Sequence, residues 1–149
     1  MTHETGSPST KGAQLDVLGS KITVRVPSED TGGAYSIVEE IDEPAAGSPP
    51  HANTRETLAI TVVEGNLEVV LPDRSVKLSP GESISLPRGV RHSTRNVGSA
   101  PSRTLFTFVP GEFERFFVEV AALGEGGARD LDRVAEIAAA YGMEIAPPE

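Results

Sequence analysis

The chain contains no cysteine, holds only three histidines in 149 residues, and carries thirteen basic side chains against twenty-two acidic ones. Each shortage excludes something. Without cysteine there is no disulfide framework, no thiolate nucleophile and no cysteine-based zinc or iron–sulfur site, so any metal must be held by nitrogen or oxygen. A formal charge of -9 repels phosphate backbones and anionic lipid headgroups. No local basic cluster overrides that field, so nucleic acid and membrane surfaces are excluded as partners. The longest strongly apolar run, Leu58 to Val63, is far short of the roughly 20 residues a membrane helix needs. The start, MTHETGSPST, lacks the basic and apolar regions of a signal peptide, which makes the cytoplasm the expected compartment. A length near 150 residues is typical of one domain with one sizeable core.

What is present divides into three stretches. Residues 1–18 read as a flexible tail, because Ser, Thr, Gly, Pro and charge without a period cannot offset the entropy of ordering. Residues 19–110 hold short β-branched runs, interrupted every eight to twelve residues by Gly, Pro, Asn or Asp. The runs are KITVRV (21–26), AYSIVEEI (34–41), TLAITVV (57–63), NLEVVL (66–71), SVKL (75–78), SISL (83–86), VRHSTR (90–95) and RTLFTFV (103–109). Glu64-Gly65 and Pro72-Asp73 between them are hairpin-like signals. Eight such runs without intervening helices predict an all-β antiparallel sandwich or barrel. In residues 111–149 the period becomes helical. Phe113, Phe116, Phe117, Val120 and Leu123 form one stripe, and Leu131, Val134, Ala138 and Tyr141 form a second behind an Asp130 cap. Both stripes are expected to pack on the outside of the barrel or on a partner subunit.

Two histidines lie in the body of the chain, and each has a recognisable frame. Gly81 to Asn96 reads G-x5-P-x-G-x2-H-x3-N, with Pro87 and Gly89 building a turn and the next strand aiming His92 to one face. This pattern resembles the second motif of the cupin superfamily. The stretch from Gly47 through His51, Asn53 and Leu58 to Gly65 occupies the place of the first motif. The resemblance spans roughly residues 20–142 and is similar to small single-domain cupins related to quercetin 2,3-dioxygenase. It implies a jelly-roll barrel, or double-stranded β-helix, with two C-terminal helices.

In metal-binding cupins the matching positions carry three histidines and a glutamate; here they are His51, Asn53, Leu58 and His92. An amide is a poor donor to a first-row ion and an alkyl group is none, so no tight metal site and no cofactor are expected. One rescue is conceivable. Glu56, two residues before Leu58, would share its face along a strand and give His51, His92 and Glu56 as a set for iron, nickel, manganese or zinc. The alternative for Glu56 is a solvated carboxylate at the barrel mouth.

Alternation predicts the pocket lining as Tyr35 and Ile37, then Leu58, Ile60 and Val62, then Phe106 and Phe108. Each of Ile60, Val62, Phe106 and Phe108 could instead fill the core. With His51, His92, Asn53 and Glu56 as the catalytic candidates, the equipment suits non-redox acid–base chemistry on a hydrophobic small molecule: isomerisation, cyclisation, dehydration or epimerisation. Arg outnumbers Lys ten to three, a hint of a GC-rich bacterial source, where small cupins often accompany secondary metabolism. Two other readings stand beside this one, a quercetinase-like dioxygenase with a reduced ligand set and a non-catalytic binding module. A homodimer is expected, because exposed apolar strands gain from edge pairing.

Overall fold

A computed structural model of the chain describes residues 11–124 and 130–145. In order, the strands are β1 (Gln14–Val17), β2 (Ser20–Val26), β3 (Ser36–Asp42), β4 (His51–Asn53), β5 (Thr57–Glu64), β6 (Leu67–Val70), β7 (Ser75–Leu78), β8 (Ser83–Leu86), β9 (Ser93–Asn96) and β10 (Ser102–Val109). Helix α1 (Glu114–Ala122), helix α2 (Leu131–Ala140) and β11 (Met143–Ile145) follow. The named strands pair antiparallel throughout. A six-stranded sheet runs β1-β2-β3-β10-β5-β8, a three-stranded sheet runs β7-β6-β9, and β4 forms a two-stranded sheet with β11. This is the jelly-roll arrangement with helices after the last long strand. No helix of the described residues is long and apolar enough to cross a membrane.

Strand β10 shows why the sequence folds this way. Its residues alternate strictly, Ser102, Thr104, Phe106 and Phe108 buried and the others less so. Flanked by β3 and β5, it sets Phe106 against Val38 and Ile60, and Phe108 against Ser36 and Leu58. Val38, Ile60, Val69 and Val120 are completely buried, each burial contributing on the order of 2 kcal/mol.

Several expectations need correction. The tail does not extend to residue 18. Leu15 pairs with Ile22 across a tight turn at Leu18-Gly19, and Gly12 donates to the Val24 carbonyl, so backbone pairing holds residues the polar composition left unassigned. Residues 1–10 lie outside those described, as do residues 125–129 of the GEGGAR connection and residues 146–149. Pro72-Asp73 does turn β6 into β7, with Leu71 N donating to Arg74 O at 2.7 Å. Glu64-Gly65 is a turn of another kind: it carries the chain from one sheet to the other, and β5 and β6 do not pair. Gly65 (φ +87°) packs so closely on Ser102 that a Cβ would sit 2.9 Å from its Cα.

The helices also differ from expectation. They do not simply lie on the barrel's outer wall: Phe113, Phe116, Phe117 and Val134 face into the cavity that the barrel encloses. Asp130 caps α2 as read, accepting from Arg133 N at 3.2 Å. Leu131 is exposed, however, and Ile137 takes its place in the buried stripe. Tyr141 bonds Glu119 and ties the two helices together.

Candidate functional site

The site begins with a backbone pair. His51 N donates to His92 O and His92 N to His51 O, both at 2.9 Å, so the two residues face each other in a hydrogen-bonded β-bridge. Their rings come 4.4 Å apart between centroids, tilted by 57°. His51 Nδ1 donates to Pro49 O at 2.9 Å and His92 Nδ1 to Val90 O at 3.0 Å. A carbonyl can only accept, so each Nδ1 carries the proton and each Nε2 presents a lone pair. Burial, then the neighbouring His92, pushes His51 down to about 4, and burial lowers His92 as well. Near neutrality both rings are therefore uncharged acceptors.

The local sequence makes this pairing possible. Pro87 to Gly89 form a turn in which Val90 N donates to Pro87 O, and Gly89 (φ +79°) donates to Asn53 O at 2.8 Å. At Gly47 a Cβ would lie 1.9 Å from Thr94 O, so only glycine lets the stretch leading to His51 approach β9. On its other side β4 is closed by β11, with Met143 against Asn53 and Ile145 against His51.

Around the pair lies a cavity of about 120 Å³. His51, Asn53, Leu58, His92, Phe106 and Phe108 line it, which brings six of the expected residues together. Asn53 is buried and lines the same cavity, with its side-chain amide near enough to Glu56 to favour that carboxylate. Ile60 and Val62 are fully buried but fill the core instead of lining the cavity.

Tyr35 and Ile37 lie on the other face of their strand. Tyr35 is exposed, and the inward residues of β3 are Ser36, Val38, Glu40 and Asp42. AYSIVEEI is apolar on both faces, with one Glu on each, so alternation alone does not tell in from out. Outside, Glu39 is buried between Arg25 and Arg103, both at 2.5 Å. Inside, Glu40 lines the cavity, a contact missed in the sequence. Also missed were Thr94, Met143, Ile145 and the three phenylalanines of the α1 region.

Glu56 does not join the histidines. The face-sharing argument needs a continuous strand, but residues 54 and 55 form a bend and β5 starts only at Thr57. Its carboxyl is buried, Oε1 has no partner, and burial pushes it up to about 7 against the opposing effect of Arg55. Among the described residues no three His, Asp or Glu side chains gather to share a metal ion. Two imidazoles and an amide, with Leu58 where an anionic ligand would stand, do not complete a first-row donor set.

Comparison with known proteins places this geometry. The family model of the cupin domain matches residues 38–108. Nectarin-1 of Nicotiana plumbaginifolia is 30% identical over 109 residues, covering 67% of this chain and 47% of its own. The chain thus spans about half the length of that curated relative. Among solved structures, KdgF from Halomonas sp. superposes with a TM-score of 0.62 at 22% identity, over 68% of this chain and 89% of that one. The polyketide cyclase RemF from Streptomyces resistomycificus superposes with a TM-score of 0.56 at 23% identity, over 73% and 80%. At these identities the likeness shows the fold.

Proposed function

This chain belongs to the cupin family, and from that premise we propose that it is a metal-independent enzyme performing a non-redox isomerisation or cyclisation on a hydrophobic small molecule. One observation carries the proposal: two neutral imidazoles, oriented by their own backbone neighbours, share an apolar cavity with the buried amide of Asn53. An Nε2 lone pair takes a proton from an acidic C–H or O–H of the substrate. Asn53 Nδ2 donates to the oxygen on which negative charge develops, and the phenylalanine wall keeps water from competing. The proton then returns to another substrate atom, so no electron carrier is involved. Such proton transfer contributes about 10²- to 10⁴-fold. That a structural neighbour is a polyketide cyclase accords with ring-closing chemistry on this scaffold.

The test is solvent-deuterium incorporation into small enolisable aryl ketones, followed by proton NMR. The protein is expected to accelerate exchange with or without chelator, and His51→Gln with His92→Gln to abolish it. Retained binding with no exchange above that double variant would favour a non-catalytic binding module. Loss of exchange on chelation would favour the dioxygenase-like metal reading.

A further inference from the structure

The cavity opens to solvent beside the histidines. Leu18, Gly47, Pro49 and Ile145 line it and are also exposed, so they stand at its mouth, and none of the four carries a charge. Two of them adjoin His51: Pro49 O holds its Nδ1, and Ile145 is its register partner on β11. Leu18 is there against the chemistry of its own turn. It and Gly19 alone join β1 to β2, with φ +51° and +91°, and Val17 pairs with Ser20. A two-residue hairpin with positive φ at both positions is a type I′ turn, which favours Asn, Asp or Gly at the first of them. Leucine is strained there because its Cβ crowds the carbonyl that follows. Burial does not offset the strain, since Leu18 stays 49% exposed. A local rule broken at the mouth of a cavity, with no compensating burial, marks a residue held there for a ligand.

We infer that Leu18 is a specificity-determining residue: with Ile145 it grips an apolar arm of the substrate that projects out of the cavity. The cavity itself, about 120 Å³, holds a single ring, since an apolar cavity of about 150 Å³ takes one benzene. A ring packed on Phe113, Phe116 and Phe117, with its oxygen at the imidazoles, leaves further carbon atoms to pass His51 and cross the rim. Water covers Leu18 and Ile145 while the site is empty, and an alkyl or aryl arm removes that surface from water. The substrate class is therefore an uncharged ring compound with an apolar arm on the histidine side, and a compact ring uses only part of the site.

This inference rests on the cavity being the functional site, though not on turnover, so binding tests it. Two probes, acetophenone and hexanophenone, differ only in the length of the alkyl arm and are titrated into the full chain by NMR or calorimetry. The wild type should prefer hexanophenone by about tenfold or more. Leu18→Gly should lose about fivefold of that preference and keep acetophenone affinity within about twofold. Because glycine suits the turn, the same variant should melt no lower than the wild type. Leu18→Met, which restores an apolar side chain of similar reach, should keep the preference. An unchanged preference in Leu18→Gly overturns the role of Leu18 alone, and so does a lower melting temperature, which would make it a residue of the fold. A wild type that binds acetophenone but does not prefer hexanophenone overturns the rim and spares the site. Failure of the wild type to bind either ketone overturns both.

Discussion

His51 and His92 are joined twice, through a reciprocal pair of backbone hydrogen bonds and through rings 4.4 Å apart. Neither ring has to reorient to meet the other, because the carbonyls of Pro49 and Val90 fix both. The pair is therefore built as two acceptors, and what it lacks is the anionic partner that would turn it into a metal site.

Elemental analysis of protein purified without an affinity tag should find well under one transition-metal ion per chain. The double substitution Asn53→His with Leu58→Glu restores an imidazole and a carboxylate at two cavity-lining positions and should raise the content toward one. Near-stoichiometric metal in the unmodified chain would sink the metal-independent reading.

The depressed His51 makes stability depend on acid. Its folded value, about 4, lies below the ordinary 6.5. Between those limits the unfolded chain binds a proton that the folded chain refuses, so stability is intact above pH 6.5 and lost as pH falls toward 4. The loss from this group is on the order of 3 kcal/mol. Chemical denaturation across that window should show the slope in the wild type and a flatter profile in His51→Gln. Equal slopes would mean that the imidazole is not desolvated.

Glu56 acts with the opposite sign. Its folded value, about 7, lies above the ordinary 4.5, so its contribution is present below pH 4.5 and lost as pH rises through 7. Glu56→Gln should therefore gain melting temperature over the wild type progressively from pH 5 to pH 8. A difference that does not change with pH would place the carboxyl in solvent.

Gly47→Ala tests how β9 is approached. The added methyl would meet Thr94 O at 1.9 Å, and neither backbone can retreat without breaking the bond from Ser48 N to that oxygen. A loss of about 3 kcal/mol is expected, with weaker binding of aryl ketones because His51 moves with the displaced segment. Wild-type stability in this variant would show that the two backbones stand further apart.

The strands with strong β-branched alternation were legible in the sequence: SVKL and SISL fall where the pattern puts them, and the other six runs within about three residues. The histidine frames were legible as well, because a Pro-x-Gly turn fixes the direction of the strand that follows. Three short strands were not. Gln14–Val17, His51–Asn53 and Met143–Ile145 have little β propensity and form because a partner supplies their hydrogen bonds, the neighbouring β2 for the first and each other, far apart in the chain, for the last two. The same limit hid Glu40. Whether Glu39 or Glu40 faces inward is decided by register with β2 and β10, and only Arg25 and Arg103 on the outer face settle it.

The pairing of β4 with β11 has a consequence in time. His51 is made when barely a third of the chain exists; one edge of its strand is met by His92, the other only by Met143–Ile145. During synthesis the segment can therefore bond to residues 92–95 as soon as they emerge, while its second edge stays open until residues 143–145 are made.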